Sequence, residues 1–281
     1  MAPRSRRDSS TMILTLTTIP PRFEYINKFF NILEQQSIRP DHIEVYIAKK
    51  YRRFPGVRTP LPVLPSWVEI VETECDFGPA TKILPALRRW RGKDVDILYC
   101  DDDQIYDQKW LERFASARRA HREDAICECG FDIDRRFGLT RQYERHPRVT
   151  RCPRDGKSML YRLSRGLSFT KYKPRRQRYI ASGYIDVAEG FGGVSVRPNF
   201  FHERVFEIPD VLWTVDDIWL SGMLEANNVG IWINHNGLTP TFPMSSSSIN
   251  PLIKHLEDGI DRTTADRMCV EYFKRNYGIW N

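Results

Sequence analysis

Asp96-Ile97-Leu98-Tyr99-Cys100-Asp101-Asp102-Asp103 is an apolar run that ends abruptly in three consecutive carboxylates. Ile97, Leu98, Tyr99 and Cys100 read as a short buried strand, and the segment Gln108 to Ala120 beyond the acids reads as a helix. Three adjacent anions at a strand end repel one another and require something to neutralise them. A hard divalent cation does this, because Mg²⁺ prefers oxygen ligands and keeps positions open for phosphate oxygens. Alternation along a strand would send Asp101 and Asp103 to one side and Asp102 to the other. The i, i+2 pair could then share one ion, or divide between a metal and a ribose hydroxyl. The competing reading is a solvated acidic turn that caps the following helix. The metal reading leads, since charge of this density is seldom left unpaired.

On the N-terminal side, Met12 to Ile19 is β-branched and apolar, a first strand that stops at Pro20-Pro21-Arg22. Phe23 to Gln36 carries Phe23, Ile26, Phe29, Phe30 and Leu33 at helical spacing. His42 to Ala48 is a second strand and Val68 to Val71 a third. Ile83 to Trp90 is a helix and Asp94 to Cys100 the fourth strand. A β-α-β order of this kind predicts an α/β fold: a Rossmann-like, mostly parallel sheet flanked by helices, with ligands at the carboxyl ends of its strands. The loop Asp76-Phe-Gly-Pro-Ala-Thr-Lys82 brings Lys82 to a helix start, where an ammonium and backbone N–H groups together suit phosphate. The alternative is a surface lysine in a first helical turn.

On the C-terminal side, Ala125 to Cys129 reads as a strand, and then the character changes. From Arg135 to Arg178 arginine and lysine dominate and apolar periodicity is lost, which marks residues 132–180 as a basic insertion in a single domain spanning 11–281. It is either a solvated loop or a platform for an acceptor or a membrane surface. Order returns with Tyr184 to Arg197, where Gly190, Gly192 and Gly193 mark a tight turn or a close ligand approach. Asp216-Asp217 stand where a helix begins, positions that the helix dipole favours for acids in any case. Val229 to Asn234 is a late strand, followed by His235. That residue and His255 are the candidate histidine ligands. Phe242 to Ser248 is a flexible loop, and Thr264 to Asn276 a last helix with Met268, Tyr272 and Phe273 on one face.

The 281 residues carry a net charge of +7, so an anionic partner is expected: a nucleotide, an acidic glycan, a membrane surface or nucleic acid. No stretch approaches the ~18 apolar residues of a spanning helix. Residues 1–10 are basic without an apolar segment behind them, and read as a disordered tail rather than a secretory signal. The six cysteines show no C-x-x-C spacing and read as reduced thiols in a cytoplasmic protein.

The order of these features resembles the GT-A class of nucleotide-sugar glycosyltransferases over roughly Thr11 to His235. Asp101-Asp102-Asp103 looks like the class's DxD metal motif. Phe191-Gly-Gly-Val-Ser195 followed by Asp216-Asp217 is similar to the β-1,4-galactosyltransferase pattern, in which an FGGVS segment precedes a Glu-Asp motif. Thr17-Thr-Ile-Pro-Pro-Arg22 and Gly78-Pro-Ala-Thr-Lys82 look like those of bacterial family-2-like enzymes of cell-surface polysaccharide pathways. This chain departs from the pattern in having Asp-Asp for Glu-Asp, in its basic insertion, and in offering no single late histidine. The resemblance implies a nucleotide-sugar donor, a UDP-sugar, bound by Thr17, Thr18, Pro20, Arg22, Lys82, Asp101 and Asp102. It implies Mn²⁺ or Mg²⁺ on Asp103 and Asp101 with His235, and a donor–acceptor loop at Gly192 and Gly193. Asp217 would be the base of an inverting displacement, with retention the alternative that motifs alone leave open, and Asp216 would orient the acceptor, a glycan or lipid-linked hydroxyl on a neutral or acidic carrier. The site would then face the inner side of a membrane, with peripheral contact to it.

Two rivals use the same residues. Nucleotidyl transfer also employs paired aspartates and metal, but it calls for a glycine-rich phosphate loop at the first strand, where Thr17 to Arg22 has none. A basic RNA- or membrane-binding module built on Arg135 to Arg178 would place two acid clusters against phosphates. No nucleic acid partner is therefore expected.

Overall fold

The computed structural model describes residues 10–140, 142–168, 174–241, 249–252, 255–257 and 259–281. Nearly all of the basic tail, Arg141, Lys171 and Lys173 of the insertion, and the Phe242–Ser248 loop lie outside the described residues. The strands are β1 (Thr11–Thr17), β2 (His42–Ala48), β3 (Glu69–Thr73), β4 (Val95–Tyr99), β5 (Ala125–Cys127), β6 (Gly130–Phe131), β7 (Thr150–Arg151), β8 (Tyr179–Ala181), β9 (Gly183–Tyr184), β10 (Val187–Ala188), β11 (Val194–Val196) and β12 (Ile231–Ile233). The α-helices are α1 (Ile26–Leu33), α2 (Leu84–Arg89), α3 (Trp110–Ala120), α4 (Ile133–Phe137), α5 (Met159–Leu167), α6 (Asp217–Ala226) and α7 (Arg262–Tyr277).

Eight strands form one sheet in the order β3-β2-β1-β4-β11-β5-β12-β9. The β3-β2-β1-β4 half is parallel throughout, and β5 and β12 run the same way. Only β11 and β9 are antiparallel to their neighbours. The expected α/β, mostly parallel sheet flanked by helices is therefore what the chain forms. Its central strands are covered on both faces, so they read as apolar runs rather than alternating ones; every residue of β4 is buried. Side-chain alternation then sorts the core into two layers. Leu14, Leu16, Leu98 and Ile126 pack with Ile26, Phe29, Phe30, Trp110 and Phe114 of α1 and α3. Ile13, Ile97, Tyr99 and Val194 pack on the other face with Leu84, Trp219, Leu220 and Phe273 of α2, α6 and α7.

Several expectations shift in detail. No helix joins β2 to β3; residues 49–68 are irregular and return alongside the sheet. Both α1 and α2 are shorter than their apolar patterns. The last helix turns its phase: Ala265, Cys269, Val270 and Phe273 are the buried face, while Met268 is exposed.

The basic stretch is built into the domain. It carries α4, the β7–β8 pair and α5. Arg145 pairs with Glu225, and Arg148 with both Asp132 and Asp186. Arg178 lies 3.2 Å from Glu189, and the Arg175 guanidinium donates to the Tyr106 carbonyl at 3.0 Å. These arginines are anchors rather than a solvated loop. All six cysteines are free. Among the described residues no helix is long and apolar enough to cross a membrane.

Candidate active site

The sheet order reverses between β1 and β4. The chain leaves β1 through α1 toward β2 and β3 on one side, then crosses to β4 on the other. In open α/β sheets that switch point leaves a crevice at the carboxyl ends of the strands. A cavity of about 420 Å³ opens there, walled by Thr17 and Thr18 after β1 and by Asp101, Asp102 and Asp103 after β4. Such a volume lies within the range of small-molecule sites.

The acidic triplet does not continue the strand's alternation. β4 ends at Tyr99 and the acids enter a turn, so Asp102 and Asp103 both reach Arg22 while Asp101 turns elsewhere. One Asp102 oxygen accepts from the Thr18 hydroxyl at 2.6 Å and the other from Arg22 at 2.7 Å. Asp103 accepts from the Gln104 amide at 2.7 Å and lies 3.2 Å from Arg22. Burial, with Asp101 and Asp102 beside it, pushes the Asp103 carboxyl up to about 6.

Asp101 instead meets Lys82, whose ammonium is 2.6 Å from Asp101 and 2.8 Å from Asp216. Lys82 thus ties the end of β4 to the start of α6. It comes from a short turn, Gly78–Lys82, ahead of α2. With a side chain only 4 % exposed, its charge is committed to these acids. Burial opposes the charged form of Lys82, yet Asp101, Asp216 and Asp217 together hold its pKa well above the ordinary lysine value.

The two acids at the start of α6, Asp216 at its N-cap and Asp217 in its first turn, differ sharply. Asp216 is 3 % exposed, and its oxygens are occupied by Lys82 and by Arg262 at 3.1 Å. Burial raises its pKa, but the two cations outweigh that and leave it below the usual carboxylate range. Asp217 is 22 % exposed and lines the cavity. It accepts the Gly190 N–H at 2.9 Å and lies 4.0 Å from Arg262. Burial, then the neighbouring Asp216 charge, pushes its carboxyl up to about 8. Adjacent acids whose environments drive them apart are the arrangement in which one holds charge and the other exchanges a proton.

Other sequence-predicted residues fall differently. Thr17 faces the cavity wall, its hydroxyl donating to the Tyr46 carbonyl at 2.8 Å. Pro20 starts the short turn after β1 and is not part of the wall. Gly192 and Gly193 serve packing: a Cβ on Gly192 would sit 2.6 Å from Cys129, and one on Gly193, at φ +87°, 2.5 Å from the Trp110 ring. Gly190 is the glycine at the site, where a Cβ would lie 2.6 Å from the Lys82 ammonium and 3.3 Å from Asp217. His235 is not brought to the cavity. It bonds Ser182 at 2.7 Å just beyond β12. His255 bonds Glu257 at 2.9 Å and meets Trp213, a wall residue, in a T-shaped contact with ring centroids 6.3 Å apart, without lining the cavity itself.

The structure adds residues the sequence did not suggest. Arg262 closes the Asp216 pocket, and Tyr51, Phe54 and Trp213 supply aromatic wall. Arg53 lines the cavity, donates to the Asn250 carbonyl at 3.0 Å, and has no ion pair among the described residues. Burial and the nearby Arg22 charge lower its pKa, the signature of a cation without its anion. Trp213 stands three residues before Asp216, but no sequence signal marked Tyr51, Arg53, Phe54 or Arg262, which lie in a loop or at a helix start far from the motifs.

No family model and no curated protein matches the chain. Among solved structures it is similar to residues 1-349 of S. aureus TarS in complex with UDP, at 15% identity, over 96% of this chain and 72% of that one, with a TM-score of 0.46. It is similar to the same fragment in complex with UDP-GlcNAc at 14% identity, over 96% and 73%, with a TM-score of 0.46. Against the longer S. aureus TarS structure the values are 14%, 96%, 44% and 0.42. Likeness at this level fixes neither family nor activity.

Proposed function

We propose that this chain is a glycosyltransferase that takes a nucleotide-sugar donor, a UDP-sugar, and passes the sugar to a hydroxyl of a glycan or lipid-linked acceptor. The observation that carries this reading is the bridge of Lys82, which brings a DxD-like triplet and an Asp-Asp helix start to one cavity. Such a cavity can hold a diphosphate at one end and a hydroxyl nucleophile near Asp217 at the other.

The residues fit a divalent cation. Six carboxylates and four cations line the cavity, so negative charge is left over, and it concentrates at the triplet. Both oxygens of Asp102 are held at 2.6–2.7 Å, whereas Asp101 has one oxygen on Lys82 and Asp103 meets Arg22 only at 3.2 Å, so Asp101 and, on yielding that looser contact, Asp103 would hold Mn²⁺ or Mg²⁺. Among the described residues no three His, Cys, Asp or Glu side chains form a closed metal cage. One or two carboxylates completed by phosphate oxygens is the usual Mg²⁺ arrangement. When bound, the ion supplies Lewis-acid stabilisation of the charge on the departing diphosphate.

The chain's own groups do the rest. Arg53 and Arg22 offer fixed positive charge to the diphosphate, and Tyr51, Phe54 and Trp213 offer apolar faces to the nucleoside. Asp217 accepts the acceptor's hydroxyl proton as that oxygen attacks the anomeric carbon. The bond from that carbon to the diphosphate oxygen breaks, its electron pair leaves with the nucleotide, and the configuration inverts. Lys82 and Arg262 hold Asp216 ionised beside Asp217 and also act on Asp217 by their own charge, Arg262 from 4.0 Å, which makes them positioning residues. The surplus of cavity acids disfavours the RNA-binding alternative.

The test is a panel of nucleotide sugars with Mn²⁺, with Mg²⁺ and with a chelator. Metal-dependent release of UDP from one UDP-sugar is the expected result. Absence of calorimetric nucleotide binding with either metal would overturn the proposal.

A further inference from the structure

Helix α5 presents an apolar face to solvent. Met159 is 87 % exposed, Leu160 78 %, Leu163 60 % and Leu167 75 %. At 100° per residue these four side chains fall on a single arc about 100° wide. Tyr161, the one buried residue of the helix, projects roughly opposite the centre of that arc. The helix therefore rests on the domain through Tyr161 and turns its apolar stripe outward. Ser158 caps its start, accepting the Tyr161 N–H at 3.2 Å, so the helix is closed by local chemistry as well as by packing.

The surroundings of the stripe are strongly basic. From Arg145 to Ile185 the sequence holds twelve Lys and Arg against one acid, Asp155, a balance of +11 beside the whole chain's +7. The remainder of the chain is thus at −4, so the positive excess belongs to this stretch of sequence. Several of those cations are anchors, but Arg154, Lys157, Arg162 and Arg165 form no ion pair among the described residues. Arg162 stands about 60° beyond one edge of the apolar arc, whereas Arg165 projects on the Tyr161 side, opposite the arc. Apolar residues facing outward with unpaired cations beside them are complementary to a surface that is greasy below and anionic above.

We propose that α5 is a membrane-docking element: Met159, Leu160, Leu163 and Leu167 enter the headgroup boundary of an anionic bilayer while Arg154, Lys157 and Arg162 meet lipid phosphates. The helix is the tip of an excursion closed at its base by the β7–β8 pair and by the Cys152 N–H donating to the Arg178 carbonyl at 2.7 Å. That base is fastened near the cavity: Arg175 holds the Tyr106 carbonyl, and the Tyr106 hydroxyl donates at 3.1 Å to the carbonyl of Phe191, a wall residue. Docking through α5 would set the cavity at a fixed distance from the lipid surface. The proposal goes beyond the transferase reading, since it concerns binding that needs neither donor nor acceptor.

The experiment is co-sedimentation of the full chain with vesicles of phosphatidylcholine alone or mixed with phosphatidylglycerol. Wild type should pellet with the mixed vesicles, less so as salt rises. L160Q/L163Q/L167Q should lower the partition coefficient by at least about tenfold while the melting temperature holds, since all three side chains are already in water. R154Q/K157Q/R162Q should lose the preference for phosphatidylglycerol. A separate probe, Leu163→Trp, should blue-shift its emission on adding mixed vesicles. Wild type that stays in the supernatant, or a triple variant that pellets as well as wild type, would overturn the proposal. So would a wild-type dimer that the triple variant converts to monomer, which would make the stripe an interface between copies.

Discussion

Replacing Asp217 with Asn should lower kcat by about 10²–10⁴ while nucleotide affinity stays within a few-fold. That range corresponds to roughly 3–5 kcal/mol of transition-state stabilisation. The substitution is conservative in the structure, because an Asn oxygen can still accept the Gly190 N–H that Asp217 accepts at 2.9 Å. What is lost is the basicity of a carboxyl raised from 3.8 to about 8. The wild-type kcat/KM should therefore climb about tenfold per pH unit on the acid side and level off above pH 8. The variant should show no such limb. Stability supplies a second readout with its own sign. The folded state holds the Asp217 proton more tightly than the unfolded chain, so this group stabilises the fold at low pH. The contribution is lost as pH rises from about 4 through about 8, by several kcal/mol at most. The melting temperature of D217N relative to wild type should accordingly rise across that window and flatten beyond it. The assay is nucleotide release with and without acceptor, on both proteins, across the same pH range. Near-normal turnover in D217N, or an acid limb that survives the substitution, would refute the assignment of the base.

Asp103→Ala should abolish the metal-dependent part of nucleotide binding with the melting temperature unchanged; calorimetry giving equal affinities with Mn²⁺ would remove Asp103 from the site. Lys82→Met strands Asp216, which is 3 % exposed, with one cation instead of two. It should destabilise the fold by about 3 kcal/mol in denaturant titration, and an unmoved midpoint would show the bridge to be idle. Arg53→Gln should weaken nucleotide binding about tenfold without affecting stability, because Arg53 has no ion pair to lose; unchanged affinity would put the diphosphate elsewhere.

What the sequence disclosed and what it withheld divide along the range of the interactions involved. β2 and β4 were legible as apolar runs because burial on both faces leaves no polar alternation to confuse them. The acids of the site were legible because charge clustered in sequence must be answered somewhere in space. The answer itself was not. Lys82 could be read as a phosphate ligand from its place before α2, yet its ammonium is taken by Asp101, 19 residues on, and by Asp216. Arg262 reaches Asp216 from 46 residues away, and no local pattern encodes that meeting. The glycines show the same limit at finer grain: spacing singled out a Gly-rich turn, but only packing reveals that Gly190 faces Lys82 while Gly192 and Gly193 accommodate Cys129 and Trp110. In the basic stretch, the density of arginines hid a regular apolar arc at Met159, Leu160, Leu163 and Leu167.

The charge pattern accounts for why the cavity forms where it does. Strand β4 and helix α6 both deliver carboxylates to one crevice, and without compensation those two elements would be forced apart. Lys82 and Arg262 supply that compensation at the α6 end, where both Asp216 oxygens are engaged. Arg22 alone serves Asp102 and Asp103 at the β4 end. The asymmetry leaves one end neutralised by the fold, with Asp217 free to exchange a proton, and the other short of positive charge. A cavity neutral where a hydroxyl must lose its proton and electron-rich where a cation and a diphosphate must sit is polarised along the direction of the proposed displacement. The same asymmetry makes Arg22 the residue whose replacement should raise the metal requirement of nucleotide binding, rather than the affinity of the free cavity.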